Sequence, residues 1–414
     1  MNKERHITSI LRHISTTPLG RIIILTGARQ VGKTTTVQHD FQDYTYLSIE
    51  DPLQRNSLKT VGIDQWYADL PVAAMDEIQK EPVLIERVKA VYDKYKDSKY
   101  ILLGSSQILL LQKVKETLAG RCSIYEMFPL CLTELQTPTI SLHLSPWQQL
   151  VSQRPIQLKF NLSLAENYSA RLDAYHYYLR FGGYPALVNE ELTDDLRYQW
   201  LRDYTRTYLE RDLRDLAAIK DLEPFIKLQQ ALALQTGNIL NVANLSRDLG
   251  IAASTISRYL QYLSLSYQIL MLPAWERNPG KRLVHAPKIH IIDHGILQAV
   301  LNRRGGMSGN EYESAIVSEI YKQAKSINSD ARFYHLRTHD GKEVDLLVEL
   351  PEGFYAFEIK MTEHVSPSDA RNLLRLTDIL TDKPLLHSYI LSNDMQTQII
   401  TDNITAVHAA YFLG

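Results

Sequence analysis

Uninterrupted apolar runs, each closed by small or acidic residues, recur in the first third of the chain. Arg21 to Thr26, RIIILT, is a β-branched run ending at Gly27. Pro71 to Glu77, PVAAMDE, is a short apolar run ending in paired acids, and Tyr100 to Ser106, YILLGSS, is another. Runs that are apolar throughout suit strands covered on both faces of a parallel sheet. From Thr133 to Ala165 no period is sustained, and scattered Pro and Ser read as a variable connector. Arg180 to Val188, RFGGYPALV, breaks a helical stretch at Gly182 and Gly183. From Pro224 the spacing predicts a helix to about Gln235, a short helix stopped by Gly250, and a second helix capped by Ser254 that carries Ile256, Tyr259, Leu260 and Leu263. That is helix-turn-helix spacing. YQILML and the basic turn ERNPGKRLVHAPK would add a strand pair with a wing, gathering Arg277, Lys281, Arg282 and Lys288. Near the end, EVDLLVEL alternates so that Val344, Leu346 and Val348 share one face and Asp345 takes the other. After a PEG turn, FYAFEIK sets Phe357 and Ile359 against Glu358 and Lys360.

The first run leads straight into GARQVGKTTT, a G-x-x-x-x-G-K-T sequence between strand and helix. Gly27 and Gly32 permit a loop through Ala28, Arg29, Gln30 and Val31 whose backbone N–H groups converge on phosphate oxygens. The positive end of the following helix, with Thr35 in its first turn, adds to this. Lys33 is expected to reach the β- and γ-phosphates of ATP, and the Thr34 hydroxyl to complete the coordination of a hydrated magnesium ion. Asp76 would hold that ion through water, and Glu77 would orient the attacking water. Ser105 and Ser106, past the third run, are candidate sensors of the γ-phosphate. In LAGR, Arg121 is a candidate phosphate contact within its own or a neighbouring subunit, which would demand a homo-oligomer; a surface ion pair is the alternative.

Composition narrows the class. At 414 residues the chain exceeds one ordinary core, and its 45% hydrophobic and 22% charged residues argue against long disorder. A net charge of −2 supplies no global attraction to nucleic acid, so any such binding must come from a local basic surface. Cys122 and Cys131 are too few for a zinc knuckle or a disulfide framework. The start has no apolar signal core, and no segment approaches about 20 apolar residues, so the expectation is a cytoplasmic protein with no membrane partner.

The strand pair at the end would present Asp345, Glu358 and Lys360 to one spot. Two carboxylates form a hard oxygen site for magnesium or manganese, and the lysine can orient water or stabilise phosphate charge, which is phosphodiester-cleavage chemistry. In GNEYESAIVSEIYKQ, Glu313 falls in register with Ile316, Val317 and Ile320, where a buried carboxylate needs a partner; a shared metal is one possibility. The acid-x-lysine fragment alone is common, recurring at Asp97 and Asp340. If the helix-turn-helix binds DNA, Thr255, Ser257 and Arg258 would face a groove while Lys281 and Arg282 touch phosphates.

In order, GARQVGKTTT, MDEIQK, LLGSS, LAGR, FGGYPALV, YLERDL, the helix-turn-helix and the final VD with FEIK resemble the prokaryotic AAA-type ATPases of the archaeal ATPase group. These carry a C-terminal domain of unknown function with a restriction-endonuclease-like, PD-(D/E)xK fold. The resemblance implies an α/β fold: an AAA-type P-loop domain of the additional-strand class over 1–135, a connector and helical region over 136–222, a winged helix over 223–292, and an endonuclease-like domain over 293–414. The expected activity is magnesium-dependent ATP hydrolysis whose nucleotide state controls the winged helix and the nuclease-like domain. The alternative is a nucleotide-dependent signalling protein whose C-terminal domain docks a protein partner without cleavage.

Overall fold

In the computed structural model, which describes residues 3–104, 116–154, 156, 158, 163, 166–208, 221–277, 285–338 and 341–414, the first apolar run becomes β1 (Ile22–Gly27) inside a five-stranded parallel sheet. The order is β2-β3-β4-β1-β5, with β2 (Thr45–Ser48), β3 (Val72–Asp76), β4 (Lys99–Gly104) and β5 (Ser123–Met127). Every residue of β1 is buried because both faces are covered. Ile23 and Leu25 pack with Ile101 and Leu103 on one side, and Ile22 and Ile24 with Tyr100 and Leu102 on the other. Full burial of each such side chain stabilises by about 1.5–3 kcal/mol, and the β-branched isoleucines already favour a strand. β4 lies between β1 and β3, so one strand is inserted between the two that end in the phosphate loop and in Asp76.

The helices of this unit are α1 (His6–Ser15), α2 (Lys33–Asp40), α3 (Pro52–Thr60), α4 (Ile63–Asp69) and α5 (Val83–Lys94). Of the segment expected to be a variable connector, residues 133–137 and 145–148 are instead built into the core. Within it α6 (Leu132–Leu135) and α7 (Pro146–Val151) are buried, and Trp147 has no exposed surface. The Trp147 indole N–H donates to Ile320 O at 2.9 Å, and its ring meets Phe357 edge-on with centroids 5.4 Å apart. Ser145 and Gln148 cap α7 reciprocally, a local signal that the absence of period concealed.

Next come α8 (Tyr168–Phe181), α9 (Asp194–Tyr208), α10 (Glu223–Leu234), α11 (Val242–Leu249) and α12 (Ala253–Leu265). Gly250, at φ 67°, ends α11. The residue capping α12 is Ala252, so Ser254 sits inside its first turn rather than at the cap. An antiparallel pair, β6 (Ile269–Leu272) and β7 (Lys288–Ile291), follows. The chain then runs through α13 (His294–Val300) and α14 (Gly309–Ser326) into a six-stranded mixed sheet of order β12-β13-β11-β10-β9-β8. Its strands are β8 (Arg332–Arg337), β9 (Glu343–Glu349), β10 (Phe354–Ile359), β11 (Leu385–Ser392), β12 (Gln398–Thr401) and β13 (Ile404–His408), and α15 (Ala409–Leu413) ends the chain. The β8 edge is covered by Pro273–Trp275: Trp275 N donates to His335 O at 2.7 Å and His335 N to Pro273 O at 3.0 Å.

Simple alternation fails at one point of β9. Tyr334 pairs with Leu347 but Leu336 pairs with Val344, so β9 carries an extra residue there. The bulge moves Val344 to the core face of Leu347, while Leu346 and Val348 face the opposite core.

Candidate functional site

The phosphate loop opens into a pocket of about 520 Å³ whose lining includes Arg29, Gln30, Gly32, Lys33, Thr34 and Thr35 from the loop, and Asp76 and Glu77 from the end of β3. Ala28 and Val31 are buried beneath it. Gly27, at φ 152°, passes so close to β5 that a Cβ would lie 2.1 Å from Met127 O. The Lys33 ammonium bends over the loop and donates to Gly27 O at 2.9 Å and Ala28 O at 2.7 Å. Thr34 Oγ1 donates to Asp76 Oδ2 at 2.6 Å, and the Tyr46 hydroxyl reaches the same oxygen at 2.9 Å. Burial, with Asp76 beside it, pushes the Tyr46 phenol up, which keeps it a donor. Glu77 takes a left-handed backbone, φ 54°, and its carboxylate accepts from the Gln79 amide. The site thus has a cationic rim, a hydroxyl and carboxylate in contact, and a second carboxylate at the mouth, a set of groups suited to a polyphosphate and a hard cation.

Some pocket residues escaped the sequence reading. Arg5 donates to Val31 O at 2.9 Å and Phe128 O at 2.5 Å, and pairs with buried Glu134 at 3.1 Å, so it fixes the underside of the loop. Pro185 and Ala186 close one wall. They reach it because Gly182 and Gly183 let the chain cross Leu130 and Asp293 at backbone distance: Gly183 N donates to Asp293 Oδ2 at 2.8 Å, and Leu130 N to Gly183 O at 2.7 Å. The glycine pair before a proline was the available signal. Arg121 does not line the pocket of its own chain; its guanidinium grips Asp93 on α5 at 2.8 and 3.3 Å, the surface ion pair given as the alternative. Ser105, Ser106, Lys281 and Arg282 lie outside the described residues.

On α12, Ser257 and Arg258 are exposed and Thr255 is half-buried. Lys288, expected on the basic wing, is buried at 3% exposure and faces the C-terminal sheet.

There, Asp345, Glu358 and Lys360 do meet across β9 and β10. Asp345 Oδ2 accepts from Ile359 N at 2.8 Å; Glu358 Oε1 pairs with Lys360 at 2.7 Å and accepts from the Asn372 amide at 3.3 Å. Glu313 faces inward from α14 as its register predicts. Its partner, however, is Lys288, whose ammonium lies 2.7 Å from Glu313 Oε1, 2.9 Å from Glu343 Oε1 and 3.7 Å from Asp345 Oδ1. Burial, then the Asp345 charge, lifts Glu313 to about 8 and Glu358 to about 7. Burial alone would lower the Lys288 ammonium, but Glu313, Asp345 and Glu343 together hold it above the ordinary lysine value. Burial raises Asp345 against the opposing pull of Lys288. Among the described residues no three His, Cys, Asp or Glu side chains are arranged to hold a metal ion. Of the three carboxylates expected at one metal, Glu313 and Asp345 instead lie around the Lys288 ammonium, and Glu358 pairs with Lys360.

Comparison with known proteins agrees on the first unit. Residues 19–136 match the family model of an AAA domain, whereas residues 172–306 and 308–412 match models of domains of unknown function, DUF8612 and DUF4143. Two mycobacterial relatives are each 26% identical over 406 residues, spanning 95% of this chain and 81% of theirs: "Uncharacterized protein Rv2008c" of Mycobacterium tuberculosis and "Uncharacterized protein Mb2031c" of Mycobacterium bovis. Among solved structures, a Walker-type ATPase of Pyrococcus abyssi is 14% identical, with a TM-score of 0.45 over 71% of this chain and 94% of its own. A signal-transduction ATPase with a tetratricopeptide repeat sensor from Pyrococcus horikoshii is 11% identical, with a TM-score of 0.27 over 77% of this chain and 47% of its own. The parallel sheet, the phosphate loop and the AAA-domain match define an ATPase domain of AAA type. No helix among the described residues is long and apolar enough to cross a membrane.

Proposed function

We propose that the chain is a magnesium-dependent ATPase whose nucleotide state is passed through the middle helices to the C-terminal domain. The carrying observation is the contact of Thr34 with Asp76 beside Lys33 at one pocket that Glu77 also lines, which supports phosphoryl transfer to water. The Thr34 hydroxyl would hold magnesium directly and Asp76 through water; the ion's contribution is to neutralise charge on the phosphate oxygens. Lys33 exchanges its loop carbonyls for β- and γ-phosphate oxygens. Glu77, turned by its left-handed backbone toward the mouth, polarises the attacking water, with Gln79 holding the carboxylate in place.

Hydrolysis by purified protein tests this reading. Lys33→Ala should lose ATP binding, and Glu77→Gln should keep binding while turnover falls about 10²–10⁴-fold. Wild-type turnover in both variants would remove the assignment.

For the switched element, docking of a protein partner without cleavage is the reading we adopt over a nuclease, because the Lys288 ammonium lies among Glu313, Glu343 and Asp345. α10, α11, α12 and the β6–β7 pair follow the order of a winged helix, and exposed Ser257 and Arg258 on α12 support a DNA contact. Stimulation of ATP turnover by duplex DNA would favour that contact; its absence would favour a protein partner alone.

A further inference from the structure

The C-terminal carboxylates and the lysine among them come from different parts of the chain. Glu313 stands on α14, Glu343 and Asp345 on β9, and Lys288 on β7, which pairs with β6 and belongs to the middle region. The Lys288 ammonium has acceptors at 2.7 and 2.9 Å and a third carboxylate oxygen at 3.7 Å, with only 3% of its side chain exposed. A divalent ion would need those same oxygens at about 2.0–2.6 Å. It would then stand within a few ångströms of a buried positive charge, where repulsion is screened far less than in water. Glu358 stands apart from this clasp: its Oε1 is held by Lys360 and Asn372, and its Oε2 is buried without a hydrogen-bond partner.

We infer that Lys288 is the resident cation of this cluster, clasping the middle region to the C-terminal sheet and keeping magnesium and manganese out. The inference does not rest on the ATPase reading. It assigns to this corner of the molecule the role of an intramolecular joint with an ammonium in place of a metal. A lysine suits that role because it carries its charge on a fixed tether, whereas a metal site would depend on the free ion concentration.

Manganese binding to the full chain without nucleotide, read by loss of the free-ion electron paramagnetic resonance signal, provides the test. Wild type and Asp345→Asn should bind the same number of ions, any ion at the phosphate loop being common to both. Lys288→Met should bind one more per chain than wild type, and that ion should be lost again when Asp345→Asn is added. Wild type binding one ion more than Asp345→Asn would overturn the inference, as would a folded Lys288→Met that gains none. The comparison of wild type with Asp345→Asn needs no lysine variant, so it decides the matter if Lys288→Met does not fold.

Discussion

A methyl group added at Gly183 would lie 2.2 Å from the carbonyl oxygen of Leu130. That oxygen is backbone, and the two residues are already tied by the 2.7 Å bond from Leu130 N to Gly183 O, so relief requires moving a strand exit that supports the pocket. Gly183→Ala should therefore cost about 1–3 kcal/mol, the usual range for overpacking, and should also weaken nucleotide binding, because Pro185 and Ala186 follow directly into the pocket wall. Gly62 offers a control. Its φ is −64° and nothing lies within 4 Å of the position a Cβ would take. Gly62→Ala should leave the urea midpoint within error while Gly183→Ala lowers it; equal midpoints would show that the crossing has slack.

At the scale of elements, tyrosines join the phosphate loop to the middle helices: Tyr204 of α9 donates to Arg29 O at 3.4 Å, and a second link runs through Tyr267. Tyr267, in the turn between α12 and β6, exchanges a 2.7 Å hydrogen bond with Thr26 Oγ1 and donates to Glu126 at 3.2 Å. Thr26 is the penultimate residue of β1, next to the first loop glycine, so a shift of the loop on nucleotide binding is felt by the turn that ends α12. Tyr267→Phe keeps the ring packing and removes the hydroxyl, at a cost of about 1 kcal/mol. ATP should protect the amides of α11 and α12 from hydrogen exchange in wild type and fail to do so in this variant; equal protection in both would mean the coupling runs elsewhere. Neither end of that link was legible in the sequence, because its residues are 241 positions apart. What was legible shares a local cause. β1, β3 and β4 are apolar runs terminated by motif residues, and period-two spacing in β10 put Glu358 and Lys360 together, whereas Asp345 sits at a β9 bulge that alternation did not show. Trp147 and Lys288 were missed because the groups that bury them, Ile320 and Glu313, are supplied by α14. Even so, a lysine inside the strand KIHI was a sign that a buried charge needed partners.

For the molecule as a whole, titration of its buried groups sets a pH of greatest stability. Burial keeps the imidazoles of His290, His294, His335 and His408 neutral, depressing the last three to about 3, 4 and 4 from 6.5. In a group held neutral this way, the unfolded chain takes up the proton first, so stability is complete above pH 6.5 and falls as pH drops toward the folded values. Glu313 and Glu358 act in the opposite sense. Their folded values, about 8 and about 7, exceed the ordinary 4.5, so their contribution is complete below pH 4.5 and is lost as pH rises through the folded values. Each group contributes at most about 1.4 kcal/mol per pH unit. Between pH 4.5 and 6.5 the depressed imidazoles, which also include His6, His143 and His387, outnumber the raised carboxyls, which also include Asp293 and Asp345; above 6.5 the imidazoles no longer contribute a slope and the raised carboxyls set it. The thermal midpoint should therefore peak near about pH 6.5 and decline on both sides. Glu313→Gln and Glu358→Gln should flatten the alkaline side and, by removing carboxyls that oppose the imidazoles below pH 6.5, steepen the acid side. A wild-type midpoint that rises steadily from pH 5 to 8 would show that Glu313 and Glu358 ionise normally. The clasp around Lys288 would then hold three full negative charges at neutral pH.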